Sequence, residues 1–203
     1  GQALVVWNDQ GIIYGRRYDL DSHDWAAAAV TIADHTRAMD ADGAQPASSE
    51  AQIFASALSV LADDLAEMLA RDGEGATKFV RVICEAASSD QDAHAIANTV
   101  ALSPLVKTAL AASDPNWGRI VAAVGRAPIS QIAIDRVNVW INDVQIVENG
   151  GRHPKYTEQA GQAAMNPVDI DIRISMGVGS GYCRVMTCDL TKEYVRINAE
   201  YRT

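Results

Sequence analysis

The chain has 203 residues, 48% of them hydrophobic, and a formal net charge of −9. That length suits one compact domain or two tightly joined layers with a sizeable core. The acidic balance offers no basic face to a phosphate backbone, and no apolar run reaches the roughly 20 residues that span a bilayer, so neither nucleic acid nor membrane is an expected partner.

Gly1 to Asp24 is rich in Tyr, Arg, Asp and Gly and shows no sustained periodicity. Ala26 to Ala33 is small and apolar, and Met39 to Ser49 reads as a loop broken by Gly43 and Pro46. Residues 1–49 therefore read as an atypical N-terminal segment ahead of a main domain, 50–203. Order begins at Ser49, where Ser49 and Gln52 have capping-box spacing. Ile53, Ala57, Leu58, Leu61, Leu65, Met68 and Leu69 recur at helical spacing, with Asp63, Asp64 and Glu67 on the other face. Gly73 is placed to end that helix as its C′ residue.

Lys78 to Cys84 reads as a strand with Val80, Val82 and Cys84 on one face. Asp90 to Ala101 reads as a helix that Pro104 interrupts or restarts. Asp114 as N-cap and Pro115 at the first helical position predict a further helix carrying Ile120, Val121, Ala123 and Val124 and stopping near Gly125. Beyond it, Val137, Val139 and Ile141 alternate, and Asn142-Asp143 predicts a tight turn into Val144 to Val147. Val168, Ile170, Ile172 and Ile174 alternate cleanly, and Gly177, Gly179 and Gly181 predict a loose hairpin connection to Tyr182 through Thr187. Mixed helices and strands with antiparallel hairpins late in the chain predict an α+β fold, a layered mixed sheet with packed helices.

The three cysteines, Cys84, Cys183 and Cys188, lack metal-ligand spacing and read as reduced thiols in a cytoplasmic setting. His23, His35, His94 and His153 share no spacing, so no metal site and no Ser-His-Asp set is expected. The glycines at 177, 179 and 181 lack the strand–loop–helix context of a phosphate loop, and no cofactor is expected.

Three blocks, two of them glycine-bearing, stand out between the apolar segments. In Asp72-Gly73-Glu74-Gly75-Ala76-Thr77-Lys78, a carboxylate sits between two residues without a Cβ. It is either a solvated turn after a helix or a carboxylate that lets an ammonium group approach closely. Thr77 and Lys78 either bind or flank the strand. Ser103 to Ala109 is by itself a helix boundary with an ordinary surface lysine, Lys107. Asp114 to Arg119 reads as cap, first turn, packed indole and an arginine able to pair with a buried carboxylate. The last residues carry Leu190, Tyr194, Val195 and Ile197, so this tail is expected to dock rather than fray, placing Asn198 and Thr203 at fixed positions.

These blocks, DGEGATK, SPLVKTA and DPNWGR, together with CDLTKEYVRINAEYRT from Cys188 to Thr203, closely resemble the β chain of ornithine acetyltransferase, the bifunctional glutamate N-acetyltransferase of arginine biosynthesis. The resemblance covers about Phe54 to Thr203. It implies a precursor that cleaves itself before a threonine, leaving α and β chains associated, with a second αβ unit completing the assembly. It also implies a new N-terminal threonine that takes acetyl from N-acetylornithine as an ester and passes it to glutamate, its own α-amine serving as base. The oxyanion hole comes from the α chain. By residue-to-residue match, Glu74, Asn198 and Thr203 bind substrate. The chain itself begins Gly1-Gln2-Ala3, where the family has that threonine and a VDGDTSTNDT-like motif, so no catalytic residue is assigned and this polypeptide alone is not expected to transfer acetyl. Two other functions stay open: an interaction module without a nucleophile, and a related N-terminal-nucleophile amidohydrolase in which water replaces glutamate.

Overall fold

The structure, a computed structural model, describes residues 2–9, 12–19, 24–25, 30–34 and 49–200, with side chains from 58 to 200. The expected capping-box side chains, the 39–48 loop, His23, His35 and Thr203 lie outside the described residues. Contacts divide the chain into two compact units, Gly1–Leu69 and Ala70–Thr203.

In the first unit, β1 (Gln2–Asp9), β2 (Ile12–Asp19), β3 (Asp24–Trp25) and β4 (Val30–Asp34) form an antiparallel sheet in which β2 pairs with each of the others. The signal missed there is a continuous apolar run, Ala3 to Trp7, rather than an alternation. Helix α1 (Ser49–Arg71) follows. Its apolar stripe specified a helix but not a buried face: Leu61, Met68 and Leu69 are 54%, 64% and 63% exposed, while Ala62 is buried.

The second unit rests on a six-stranded sheet. Its strands are β5 (Phe79–Ala87), β6 (Asn138–Ile141), β7 (Val144–Glu148), β8 (Gly151–Arg152), β9 (Asp169–Ser175) and β10 (Gly181–Cys188), in the spatial order β10-β5-β9-β6-β7-β8. Its helices are α2 (Asp90–Ala101), α3 (Pro104–Ala111), α4 (Trp117–Gly125), α5 (Glu158–Met165) and α6 (Lys192–Glu200). The architecture is α+β, with a mixed sheet and helices packed on it.

One sheet face makes the core. Val80, Val82 and Cys84 of β5, Ile170, Ile172 and Ile174 of β9, and Val139 and Ile141 of β6 are all buried. Each large aliphatic residue contributes about 1.5–3 kcal/mol by leaving water. Helix α2 lies across β5 and β10 and meets this layer through Ala93, Ile96, Ala97 and Val100, the two alanines permitting close approach. The other face carries charge: Arg81 pairs with Asp171 at 2.6 Å, and the Arg173 guanidinium lies 4.3 Å from the Trp140 ring centre. Strand alternation thus separates core from polar surface. Val168 does not extend the buried series; it precedes β9 and is 60% exposed.

Three local expectations need correction. First, β9 and β10 are not a hairpin, because β5 lies between them, parallel to β9 and antiparallel to β10. The glycine-bearing connection passes over the end of β5, and a Cβ on Gly179 would collide with the Ala87 carbonyl. The expected β6–β7 hairpin does form, turning at Asn142 with φ of 49°. Second, α4 is capped by Asn116 rather than Asp114: Asn116 Oδ1 accepts from Arg119 N at 3.1 Å, while the Asp114 carboxylate accepts from Asn116 Nδ2 at 3.0 Å. Third, Gly73 is not the left-handed residue after α1; that conformation belongs to Gly75, with φ of 67°.

Candidate substrate-binding site

The turn after α1 is closed by Ala76 N donating to Gly73 O at 2.9 Å. Glu74 and Gly75 are its central residues, and positive φ at the second of these is the type II requirement that glycine meets without strain. Both glycines also admit neighbours. A Cβ on Gly73 would lie 2.8 Å from Cys188 Sγ, and one on Gly75 would lie 2.8 Å from Tyr194 N and 3.0 Å from Glu193 Cβ. The turn is therefore seated on the end of β10 and the first turn of α6, with Glu74 projecting as an exposed side chain.

Asp189 ties the two segments together. It is only 3% exposed, and its carboxylate accepts from Thr77 N at 2.8 Å, Lys78 N at 3.0 Å and Thr77 Oγ1 at 2.6 Å. Three donors satisfy a buried carboxylate that would otherwise be costly. Two residues on, Thr191 Oγ1 donates to Gly75 O at 2.7 Å and accepts from Tyr194 N at 3.3 Å, capping α6 while holding the turn. Helix α6 buries none of its own residues, so these bonds carry much of its attachment.

One and a half turns into α6, Asn198 Nδ2 donates to Glu74 Oε2 at 2.8 Å and to Tyr194 O at 2.9 Å. Both partners are pure acceptors, which forces the amide orientation and turns Asn198 Oδ1 outward. Among the described residues no cation pairs with Glu74. Arg196 is engaged by Glu193 and Glu200, and its hydrogen bond holds the Glu193 carboxyl below the usual range. Lys78 points away into the interior, its Nζ donating to Met165 O at 2.7 Å and Pro167 O at 3.2 Å. Lys107 is half-buried rather than a plain surface lysine, and reaches Thr187 Oγ1 at 3.3 Å and Cys188 Sγ at 4.0 Å. The result is a carboxylate and an amide oxygen side by side, acceptors only, which suits a group that only donates, such as an ammonium.

The structure thus brings Glu74 and Asn198, the two sequence-derived candidates within the described residues, into direct contact. It does not give Arg119 a carboxylate partner; its Nη1 donates to Leu105 O at 2.8 Å and Thr108 Oγ1 at 3.2 Å, fastening α4 to α3. Thr77 and Lys78 are fasteners rather than ligands in this arrangement. Sequence reasoning overlooked Asp189 and Thr191, although the spacing Thr191-x-x-Tyr194 is that of an N-cap and carried a usable signal. No group of three or more His, Cys, Asp or Glu side chains able to hold a metal ion occurs among the described residues.

The ArgJ family profile matches residues 28–203, reaching further toward the N-terminus than the motifs alone. The chain is 52% identical over 159 residues to the arginine biosynthesis bifunctional protein ArgJ of Methylococcus capsulatus, which covers 78% of this chain and 39% of that protein. It is 49% identical over 150 residues to the protein of the same name from Rhizobium meliloti, covering 74% of this chain and 36% of that protein. It is also similar to the crystal structure of the arginine biosynthesis bifunctional protein argJ of Bacillus halodurans, with a TM-score of 0.73, 33% identity, and coverage of 78% of this chain and 74% of that chain. The chain spans about two fifths of the length of the curated relatives it matches.

Proposed function

The chain belongs to the ArgJ family, and from that premise we propose that it is the β-chain portion of an acyltransferase that moves acetyl from N-acetylornithine to glutamate through an acetyl-threonine intermediate. In this reading Glu74 Oε1 and Asn198 Oδ1 receive the ammonium of the amino-acid substrate, and Thr203 completes the site. Asn198 Nδ2 occupies the other carboxylate oxygen and holds the Glu74 side chain in one rotamer. The nucleophilic threonine and the oxyanion donors come from other segments of the assembled protein, the α chain supplying the oxyanion hole. Closure by those segments would remove water and strengthen the exposed carboxylate's attraction for a cation. The reading extends to self-cleavage of a precursor, association of two αβ units, and a cytoplasmic setting, the last in keeping with free Cys84 and Cys188.

The observation that supports this reading is the Glu74 carboxylate, without a cation partner among the described residues and held at 2.8 Å by an amide of forced orientation. The test is acetyl transfer from N-acetylornithine to glutamate by the assembled protein, in which this chain is joined to the segment carrying the nucleophilic threonine and co-expressed with an α chain, as wild type and as Glu74→Gln. A hydrogen bond to a charged group contributes about 1.5–3 kcal/mol, so the variant should raise KM for N-acetylornithine roughly tenfold or more. Absence of transfer by the assembled wild type would favour an interaction module. Acetyl release independent of glutamate would favour an amidohydrolase.

A further inference from the structure

We infer that Asp189 and Thr191 are positioning residues for Glu74, setting the register between the substrate-binding turn and α6 without touching substrate themselves. The inference rests on the assignment of Glu74 as a substrate ligand. Glu74 and Asn198 are 124 residues apart in sequence, and their contact is made between a turn and an exposed helix. Neither side chain has a packing environment that would hold it in place. What fixes the turn relative to the helix is the short segment Asp189 to Thr191. Asp189 grips the backbone on the far side of the turn, at Thr77 and Lys78, and Thr191 grips the turn itself at Gly75 O.

The two grips differ in kind. The Asp189 carboxylate is buried and fully engaged, so it acts as a pivot at the point where the two segments diverge. Thr191 uses one hydroxyl twice: its hydrogen goes to Gly75 O, and its lone pair takes the Tyr194 N–H. Loss of that hydroxyl frees the turn and uncaps the helix together. Both losses bear on the Glu74–Asn198 distance, because Asn198 also bonds back to Tyr194 O. Gly75 lies against the same Tyr194 amide, so a shift at Thr191 reaches Glu74 by two routes.

The test uses the assembled protein, the segment carrying the nucleophilic threonine included, with Thr191→Val, Thr191→Ser, Asp189→Asn, Glu74→Gln and the double variant Thr191→Val/Glu74→Gln. Two quantities are measured: the KM and kcat for N-acetyl-L-ornithine, and the NMR shift of the Asn198 side-chain amide, assigned by its response to Glu74→Gln. Thr191→Val should raise KM about three- to tenfold with kcat within about twofold, should have little further effect on KM in the Glu74→Gln background, and should move the Asn198 amide in the same direction as Glu74→Gln. Thr191→Ser should restore both. Asp189→Asn keeps Oδ1 for the two backbone donors and offers Nδ2 to Thr77 Oγ1 but loses the charge that strengthens all three bonds, so it should keep the fold and move the Asn198 amide in the same direction as Thr191→Val; an amide it leaves unmoved overturns the part given to Asp189. An Asn198 amide unmoved by Thr191→Val overturns the positioning role, whatever the kinetics. An unchanged KM in Glu74→Gln overturns the ligand role of Glu74 instead, and the amide shift then still decides the positioning role.

Discussion

Alanine at position 73 should destabilise the second unit, and removal of a single sulfur atom should abolish the effect. The new Cβ would lie 2.8 Å from Cys188 Sγ, whereas its next neighbours, Ala70 O and Ala76 Cβ, are both at an ordinary 3.5 Å. Overpacking of this kind costs about 1–3 kcal/mol. Position 73 is not left-handed, so the lower entropy of an unfolded chain with alanine offsets about 0.4–1 kcal/mol of that. Gly73→Ala alone should therefore lose about 1.3 kcal/mol at the middle of these ranges and at most about 2.6 kcal/mol. In a Cys188→Ala background the obstruction is gone, and the same substitution should be neutral or stabilising, a coupling of about 1–3 kcal/mol. Gly75→Ala is the control. Its φ of 67° costs about 1–2 kcal/mol for a residue with a Cβ. Its obstructions are Tyr194 N at 2.8 Å and Glu193 C at 3.1 Å, backbone atoms that no side-chain deletion removes. Urea unfolding followed by tryptophan fluorescence measures each value, in a chain with Trp7 and Trp25 replaced by phenylalanine so that Trp117 and Trp140 report. Equal costs of Gly73→Ala with and without the Cys188 sulfur would refute the reasoning.

Two further outcomes concern the core and the β6–β7 turn. Burial pushes the Cys84 thiol up from its ordinary 9.0 to about 12, with smaller contributions from Cys183 and Glu85. A raised folded-state value means the stability contribution is whole below pH 9 and is lost as pH rises toward 12, at most about 1.4 kcal/mol per pH unit. Cys84→Val should therefore lose less stability than wild type between pH 9 and 10.5 in urea titrations, and parallel curves would contradict this. At Asn142, Oδ1 accepts from Asp171 N at 2.8 Å, Nδ2 donates to Ala164 O at 2.8 Å, and φ is 49°. Asn142→Ala should cost about 2–4 kcal/mol and Asn142→Gly about 1–2 kcal/mol less than that, since glycine removes the bonds but not the conformation. Thermal melts showing glycine worse than alanine would sink that account.

Much of the local structure was legible because its causes are short-range. The boundaries of α2 follow from Ser89 as cap, with its hydroxyl accepting from Asp92 N at 3.1 Å, and from apolar residues at helical spacing. The restart at Pro104 and the buried face of β9 were likewise written in a first-turn proline and a two-residue alternation. Where the reading failed locally, at Asp114 and Gly73, two residues two positions apart could each perform the task, and only the geometry chose between them.

By itself the sequence determined the types of α1, α2, α4, β5, β6, β7, β9 and β10, the buried residues of β5, β6 and β9, and the motifs that mark the family, all properties of neighbours along the chain. The tertiary structure decided which strands adjoin, inserting β5 between β9 and β10 where a hairpin had been expected. It also gave the glycines beside Glu74 their reason, since their missing Cβ atoms make room for Cys188 and Tyr194, more than a hundred residues away. The contact of Glu74 with Asn198, and the Asp189 and Thr191 bonds beneath it, arise from packing between distant segments. Periodicity encodes which face of an element is apolar; it carries no record of what that face, or the turn beside it, will meet.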